Sequence, residues 1–401
     1  GEWQVQREES VIARVISDGN TRLDFGVPPV ASWVKIKGTL NPDGSVLAIR
    51  IRVDEYEADD IVVRLADNGV LSSTVASRYG LAAVETLLQS GRIFLLRDAN
   101  SSVEIENALA QMGSDTDIIW AEYNYVGSAP GGNPFKVWGW GGTTPNGYEN
   151  QFAFTQINLA PALLHYQGDN IRIALLDTGV ALEHPQLSGH LVSGWDMVAD
   201  DAFPQDEGPG FGWGHGTHIS GILTRIAPDA SIMPVRVLDA NGRGNTFTLA
   251  YAIDWAVAHD ADVINLSLGT PNKSKVLEDA VANAVAKGVI VVAAAGNNNR
   301  ETMQYPAGFA GVISVGAVDG SNHKTSFSNY GDWVNVAAPG LGITSTITGT
   351  QGFGYASWSG TSMATAFVSG VAALLKDKDA TITSAAAERQ LIDTGTNLDD
   401  S

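Results

Sequence analysis

Four side chains in this sequence have types and settings that could work on a carbonyl group. Asp177 closes the run Leu175-Leu176-Asp177-Thr178-Gly179-Val180. A carboxylate placed directly after a buried strand is costly unless it is paired or hydrogen-bonded, so it reads either as a turn residue or as a partner to another group. His215 opens a helix within Gly212-Trp213-Gly214-His215-Gly216-Thr217-His218-Ile219-Ser220-Gly221. The small residues around it allow close approach of other backbone. His218, three positions on, could join it at a metal, but the Glu of a His-Glu-x-x-His motif is missing, and His218 is read as structural.

Ser362 sits in Ser359-Gly360-Thr361-Ser362-Met363-Ala364-Thr365, ahead of an apolar helix running through Phe367, Val368 and Val371 to Leu375. A serine at a helix start is commonly a cap. It becomes a nucleophile if a base reaches it, since the helix dipole favours developing negative charge. Asn297 follows Ala293-Ala294-Ala295-Gly296 directly after a strand. A carboxamide held there can donate to an oxyanion in a water-poor site.

The elements that must position these groups alternate strand and helix from about residue 151. Apolar runs at 171–176, 235–238, 263–266 and 289–293 read as strands covered on both faces. Helices are expected over 249–259 and 276–286, the second with its apolar face at 276, 277, 280, 281, 284 and 285. The alternation predicts a doubly wound, mainly parallel α/β sheet, with chemistry beyond the carboxyl ends of the strands.

Two regions precede it. Residues 1–57 show period-two strands at 32–38 and 45–51 joined through Asn41-Pro42-Asp43-Gly44, which reads as a small all-β domain without a chemical constellation. Residues 58–127 alternate strands (61–65, 92–96, 118–126) with helices (71–79, 103–112), the pattern of a ferredoxin-like α+β sandwich. Residues 128–150 are rich in Gly, Pro, Asn and Thr and read as a linker, leaving 151–401 as the chemical domain.

A length of 401 residues suits two or three domains. Hydrophobic residues at 44% against 17% charged argue for ordered cores rather than long disorder. The net charge of -20 argues against nucleic acid, whose phosphates need a basic face. The absence of cysteine excludes disulfides, thiolate catalysis and cysteine-held zinc. No run reaches the roughly 18 to 20 apolar residues of a membrane span. The sequence opens without a charged n-region and apolar h-region, so a secretory signal is not in this chain.

Taken together and in this order, the four motifs resemble the subtilisin-like serine peptidases over about residues 155–395. The resemblance implies a serine endopeptidase in which Ser362 attacks the scissile carbonyl, His215 carries the proton and Asp177 holds the imidazole. Asn297 and the Ser362 N–H would hold the oxyanion. It also implies that Gly242 and Gly244 form one substrate edge, and Ser267, Leu268 and Gly269 the opposite one. Ala294, Ala295 and Gly296 would help to wall a primary pocket for large apolar side chains. The segment 58–127, ending Trp120-Ala121-Glu122-Tyr123-Asn124-Tyr125-Val126, resembles an inhibitory propeptide, which makes the chain a proenzyme with its own propeptide as a partner. The family's habit further implies secretion, a monomer, protein or peptide substrates and no organic cofactor.

Several features depart from the family pattern. Ala366-Phe367 stand where the family has Pro-His, and the loop after the His215 helix is too short for the tight calcium site of many relatives. The acidic loop 194–206 resembles a second calcium loop, with Asp196, Asp201, Gln205 and the Phe203 carbonyl as ligands, though Ala199 replaces an acidic residue. A closing glycine-rich strand and last helix are not evident after Ser362, so the chain either is shortened or ends early. An α/β-hydrolase is excluded by the order Asp, His, Ser and the lack of Gly-x-Ser-x-Gly. A binding or scaffold protein on an inert peptidase fold is the alternative from another class, and the intact quartet argues against it.

Overall fold

Short apolar runs make strands here because each is too brief for a buried helix and is covered on both faces. In the computed structural model seven strands, most of them of this kind, form one sheet. Their spatial order is Trp195–Asp196, Ser231–Arg236, Arg172–Asp177, Val263–Leu266, Ile290–Ala294, Val312–Val318 and Val336–Pro339. Every neighbouring pair runs parallel. The model describes backbone strands at 2–6, 12–16, 22–24, 34–40 and 46–53, and then residues 56–87, 91–129, 145–350 and 352–398.

Alternation along the strand Arg172–Asp177 builds two cores, because successive side chains leave opposite faces. Ile173 and Leu175 join a cluster with Ile219, Ile222 and Phe367, which come from the helices His215–Ile226 and Thr361–Lys378. Ala174 and Leu176 join another with Ile253, Leu277 and Val281, from the helices Thr246–Ala258 and Lys275–Ala286. The sheet is therefore doubly wound, and the strand ending in Asp177 lies third in its order.

Boundaries shift where capping or prolines intervene. The strand expected at 235–238 lies earlier, at Ser231–Arg236, with Pro234 inside it. Val237 and Leu238 instead donate their N–H groups to the Asp177 carbonyl at 2.8 and 3.1 Å. The helix expected from Leu249 starts at Thr246 because the Asn245 side chain caps it, accepting from the Thr248 N–H. An antiparallel hairpin, Ile343–Gly349 with Gly352–Trp358, and a late helix, Ser384–Thr394, were not legible in the sequence.

Upstream, Tyr56–Leu65, Ser72–Arg78, Ala82–Thr86, Ile93–Arg97, Ile105–Met112 and Ile118–Ser128 follow a βαββαβ order. Spatially, Ile118–Ser128 and Ile93–Arg97 flank Tyr56–Leu65, and Ala82–Thr86 lies outside Ile93–Arg97. Ile61, Val63, Leu65, Val75, Leu96, Ile105 and Met112 form its core. The strand Ile118–Ser128 has a further antiparallel neighbour, Arg243–Asn245, so this sheet continues into the larger α/β region.

By internal contacts the chain divides into Gly1–Glu57 and Ala58–Ser401. In the first unit Glu2–Gln6 pairs with Ile12–Ile16, and Val34–Leu40 with Val46–Val53, both antiparallel. The expected turn at Asn41–Gly44 and most of the expected linker, 130–144, lie outside the described residues.

Candidate active site

Three of the four quartet residues stand where elements end or begin, and the fourth follows a strand; of the three, Asp177 and His215 are in contact, while the Ser362 hydroxyl is bonded to Ser267. Asp177 is the last residue of its strand, His215 the first of its helix, and Ser362 the second residue of the helix Thr361–Lys378. Asn297 lies just beyond the strand Ile290–Ala294. Asp177, His215 and Ser362 are each fully buried, and Asn297 is nearly so.

His215 Nδ1 lies 2.6 Å from Asp177 Oδ1. An ionised carboxylate only accepts, so Nδ1 carries the proton and Nε2 presents its lone pair. Nε2 is buried without a hydrogen-bond partner among the described residues. Asp177 Oδ1 also accepts the Thr178 N–H at 2.8 Å, which helps to offset burial of its charge. The two segments touch backbone to backbone: a Cβ on Gly216 would sit 2.0 Å from the Gly179 carbonyl oxygen. Glycine at 216 is therefore required by the approach that joins acid and base.

Ser362 Oγ donates to the Ser267 carbonyl at 3.4 Å, and the Ser267 hydroxyl donates to the Ser362 carbonyl at 3.0 Å. Asn297 is oriented by Thr361, whose N–H and hydroxyl donate to the Asn297 Oδ1 at 2.9 and 3.0 Å. With its oxygen committed, the amide turns Nδ2 toward Gly360, where a Cβ would come within 3.2 Å of it. Gly296, at a φ of +101°, donates its N–H to Thr361 Oγ1, and its missing side chain leaves room for Asn329. His218, read as structural, is buried with Nε2 on the Ala356 carbonyl and its ring stacked on Trp358 at 4.7 Å.

The two expected substrate edges flank a strand of this same chain. On one side Ser128 and Gly269 exchange two backbone hydrogen bonds of 3.0 Å. On the other Arg243, Gly244 and Asn245 pair with Ser128, Gly127 and Val126, and Ala129 donates to the Gly242 carbonyl at 3.0 Å. Gly127 lies at a pocket lined by Leu238, Leu249, Leu268 and Tyr305. Ala294 and Ala295 are buried at the strand end, and the Ala295 carbonyl accepts from Asn329 Nδ2 at 2.8 Å.

Each of the four oxygens expected in the acidic loop already has a donor. Asp196 Oδ2 takes the buried Arg236 guanidinium at 2.8 Å, and Oδ1 accepts the Val198 and Ala199 N–H groups. Asp201 accepts from the Phe203 N–H, the Phe203 carbonyl from the Gln205 N–H, and Gln205 Oε1 from the Leu182 N–H. Among the described residues no three His, Cys, Asp or Glu side chains form a group able to hold a metal.

One acid was missed. Asp206 is buried and accepts from Thr178 Oγ1, the Gly214 N–H, the Thr217 N–H and Thr217 Oγ1. Burial pushes its carboxyl up to about 7, against the lowering effect of the Thr217 and Gly214 hydrogen bonds and with a further push from Asp177. In sequence it reads only as the end of an acidic loop, since its partners are distant N–H groups that no spacing reveals.

The fold is that of a subtilisin-like protein, and the family model described as the subtilase family matches residues 168–401. The chain belongs to that family. It is 47% identical over 213 residues to the thermophilic serine proteinase of Bacillus sp. (strain AK1), covering 51% of each chain. It is 37% identical over 290 residues to the minor extracellular protease Epr of Bacillus subtilis (strain 168), covering 68% of this chain and 42% of that one. The chain thus spans about half the length of the first relative and less of the second. Among solved structures it resembles fervidolysin from Fervidobacterium pennivorans, a keratinolytic enzyme related to subtilisin. The TM-score is 0.73 at 24% identity, over 94% of this chain and 61% of that one, a likeness of fold.

If Asn297 donates to the oxyanion, Asn297→Leu lowers kcat and leaves KM nearly unchanged. Loss of this donor in a subtilisin costs about 3–4 kcal/mol of transition-state stabilisation. Steady-state kinetics on a chromogenic peptide check this.

Proposed function

We propose that the chain is a serine endopeptidase that hydrolyses peptide bonds of proteins through Ser362, His215 and Asp177. The buried 2.6 Å contact between His215 Nδ1 and Asp177 carries this reading, because it aims an imidazole lone pair from Nε2. Ser362 Oγ attacks the carbonyl as its proton passes to His215 Nε2. Asp177 steadies the imidazolium, the proton goes to the leaving amine as the C–N bond breaks, and water, giving its proton to His215 Nε2, then splits the acyl ester and restores the Ser362 hydroxyl. Asn297 Nδ2 and the Ser362 N–H receive the oxyanion; the latter is free of an intrahelical partner by its place in the first turn. Substrate would add as a strand between 242–244 and 267–269, backbone bonds giving affinity and alternate pockets giving specificity.

Wild-type protein is expected to hydrolyse casein and to be labelled by a fluorophosphonate, and Ser362→Ala to do neither. A wild type that neither cleaves nor labels, once its cleft is cleared, sinks the reading.

The chain is proposed to be a proenzyme whose segment 58–127 is its inhibitor, with residues 1–57 as a separate β domain and 151–401 as the peptidase. Support comes from the filled cleft and from two helix starts. Ser274 caps the third N–H of the helix Lys275–Ala286, at Leu277, while Glu122 accepts the first two, from Lys275 and Val276, at 2.8 and 2.9 Å. Asn124, two residues along the same strand, accepts the Phe247 N–H at 3.0 Å at the start of Thr246–Ala258. Burial pushes the Glu122 carboxyl up, opposed by these N–H donors. A cap is worth about 0.5–2 kcal/mol. Replacing both Glu122 and Asn124 by Ala should shorten the lag before casein hydrolysis severalfold, and an unchanged lag argues that the segment does not inhibit.

Secretion and a monomeric state complete the proposal. A relative named as extracellular supports the first, and no described helix is long and apolar enough to cross a membrane. Calcium is proposed as a structural ion at 194–206. The residue types, two carboxylates, a carboxamide oxygen and a main-chain carbonyl, are those that hold a hard cation, and binding would require each oxygen to exchange its present donor, Asp196 its Arg236 guanidinium, for the ion. The Asp196 and Asp201 main chains exchange hydrogen bonds of 2.8 and 3.1 Å, holding both acids in one turn. The melting temperature is expected to fall when a chelator replaces calcium, and an equal melting temperature removes the site.

A further inference from the structure

We propose that Asp206 is a positioning residue of the catalytic machinery, fixing the start of the helix that presents His215 against Asp177. This rests on the serine peptidase reading above.

The helix His215–Ile226 has an unusual beginning. Its N-cap residue is Gly214, held at a φ of +87°, so no side chain is available at the cap position. The N–H groups of a first turn need partners from elsewhere when the cap residue supplies none. Close approach explains why a local cap is not possible: Gly216 abuts the Gly179 carbonyl and the Asp177 Cβ, and Gly214 abuts Ile347 and the Thr348 carbonyl. The cap therefore arrives from a preceding loop.

Asp206 supplies it with both oxygens. Oδ1 accepts the Gly214 N–H at 3.0 Å, and Oδ2 accepts the Thr217 N–H at 3.2 Å. Two hydroxyls extend its reach. Thr178 Oγ1 donates to Oδ1 at 3.2 Å while accepting the Gly216 N–H at 3.0 Å. Thr217 Oγ1 donates to Oδ2 at 2.6 Å while accepting the Ala181 N–H at 3.0 Å. One carboxylate thus binds residues on either side of His215, and also binds Thr178, the neighbour of Asp177. All four groups facing it donate. A negative charge at a helix start is also favoured by the backbone dipoles.

This geometry separates positioning from mere support. An asparagine at 206 keeps the shape but turns one NH2 against donors, so the helix start must shift. Small displacements of a catalytic base are expensive in rate, and misplacement by about 1 Å can cost roughly 100-fold. The Asp206 carboxyl bonds to Thr178, Gly214 and Thr217 and to none of the substrate-edge residues 242–244 and 267–269, so binding of substrate should be spared.

The test compares full-length wild type and Asp206→Asn after maturation. Active sites are titrated with a fluorophosphonate, and kcat and KM are measured per titrated site on a chromogenic peptide. The far-downfield proton resonance of the His215–Asp177 hydrogen bond is recorded on the same samples. Expected are a fall in kcat of roughly 10-fold or more, KM within about twofold, and a shifted or broadened resonance. A purely structural role would lower the titratable fraction and leave kcat per site and the resonance unchanged, which overturns the inference. If Asp206→Asn does not mature, Thr178→Ala removes a single donor. A severalfold loss of kcat per site with KM retained then supports the inference, and an unchanged kcat overturns it. A wild type that never labels fails the peptidase reading instead, so the two failures are distinguishable.

Discussion

An imidazole and a carboxylate buried together, out of reach of water, are the constraint around which the larger domain is organised. Removing a charged group from water is costly unless donors replace its hydration. Asp177 can be buried because the Thr178 N–H and His215 Nδ1 both donate to it. That arrangement demands that a strand end and a helix start approach backbone to backbone, which in turn demands glycine at 216. The sheet, with helices packed on both faces, supplies the rigidity that keeps the approach in place.

How far this was readable from sequence depends on how local the cause is. Asp177, His215, Asn297 and Ser362 stand at transitions between apolar runs and small residues, each a weak sign alone, and it is their order together that resembles a known family. Parallel strands buried on both faces were legible as apolar runs. The hairpin Ile343–Gly349 with Gly352–Trp358 was not, because its threonines, serines and glycines leave no apolar run and only sparse alternation. The strand Ala82–Thr86 was missed for a related reason: all five residues are exposed, so no buried face marks it. Asp206 was invisible because its partners are N–H groups brought by the fold, and N–H groups have no letter in a sequence. The acidic loop is the opposite case. Its residue types suggest an oxygen cage, while the buried guanidinium of Arg236 against Asp196 appears only once distant segments are packed.

Two surfaces of the larger domain would serve more than one task under the proposed function. The helix starts at Thr246 and Lys275 have their own caps in Asn245 and Ser274, yet still offer N–H groups to Asn124 and Glu122 of the upstream segment. The edges at 242–245 and 267–269 likewise offer backbone groups to any extended chain. Main-chain recognition of this kind is indifferent to most side chains, so the upstream segment and a foreign peptide would compete for the same bonds.

The glycine at position 127, lying at an apolar pocket, has a consequence for that competition. A strand that puts no side chain into the pocket gives up a hydrophobic contribution to its own affinity. It can still hold the cleft while joined to the rest of the chain, since a tethered occupant acts at an effective concentration of order millimolar. Severing the tether would turn the same contact into an encounter at whatever concentration the surroundings allow. If the segment is the inhibitor proposed above, its covalent leash would make it a one-way latch: secure while intact, and open to dilution after a single cut.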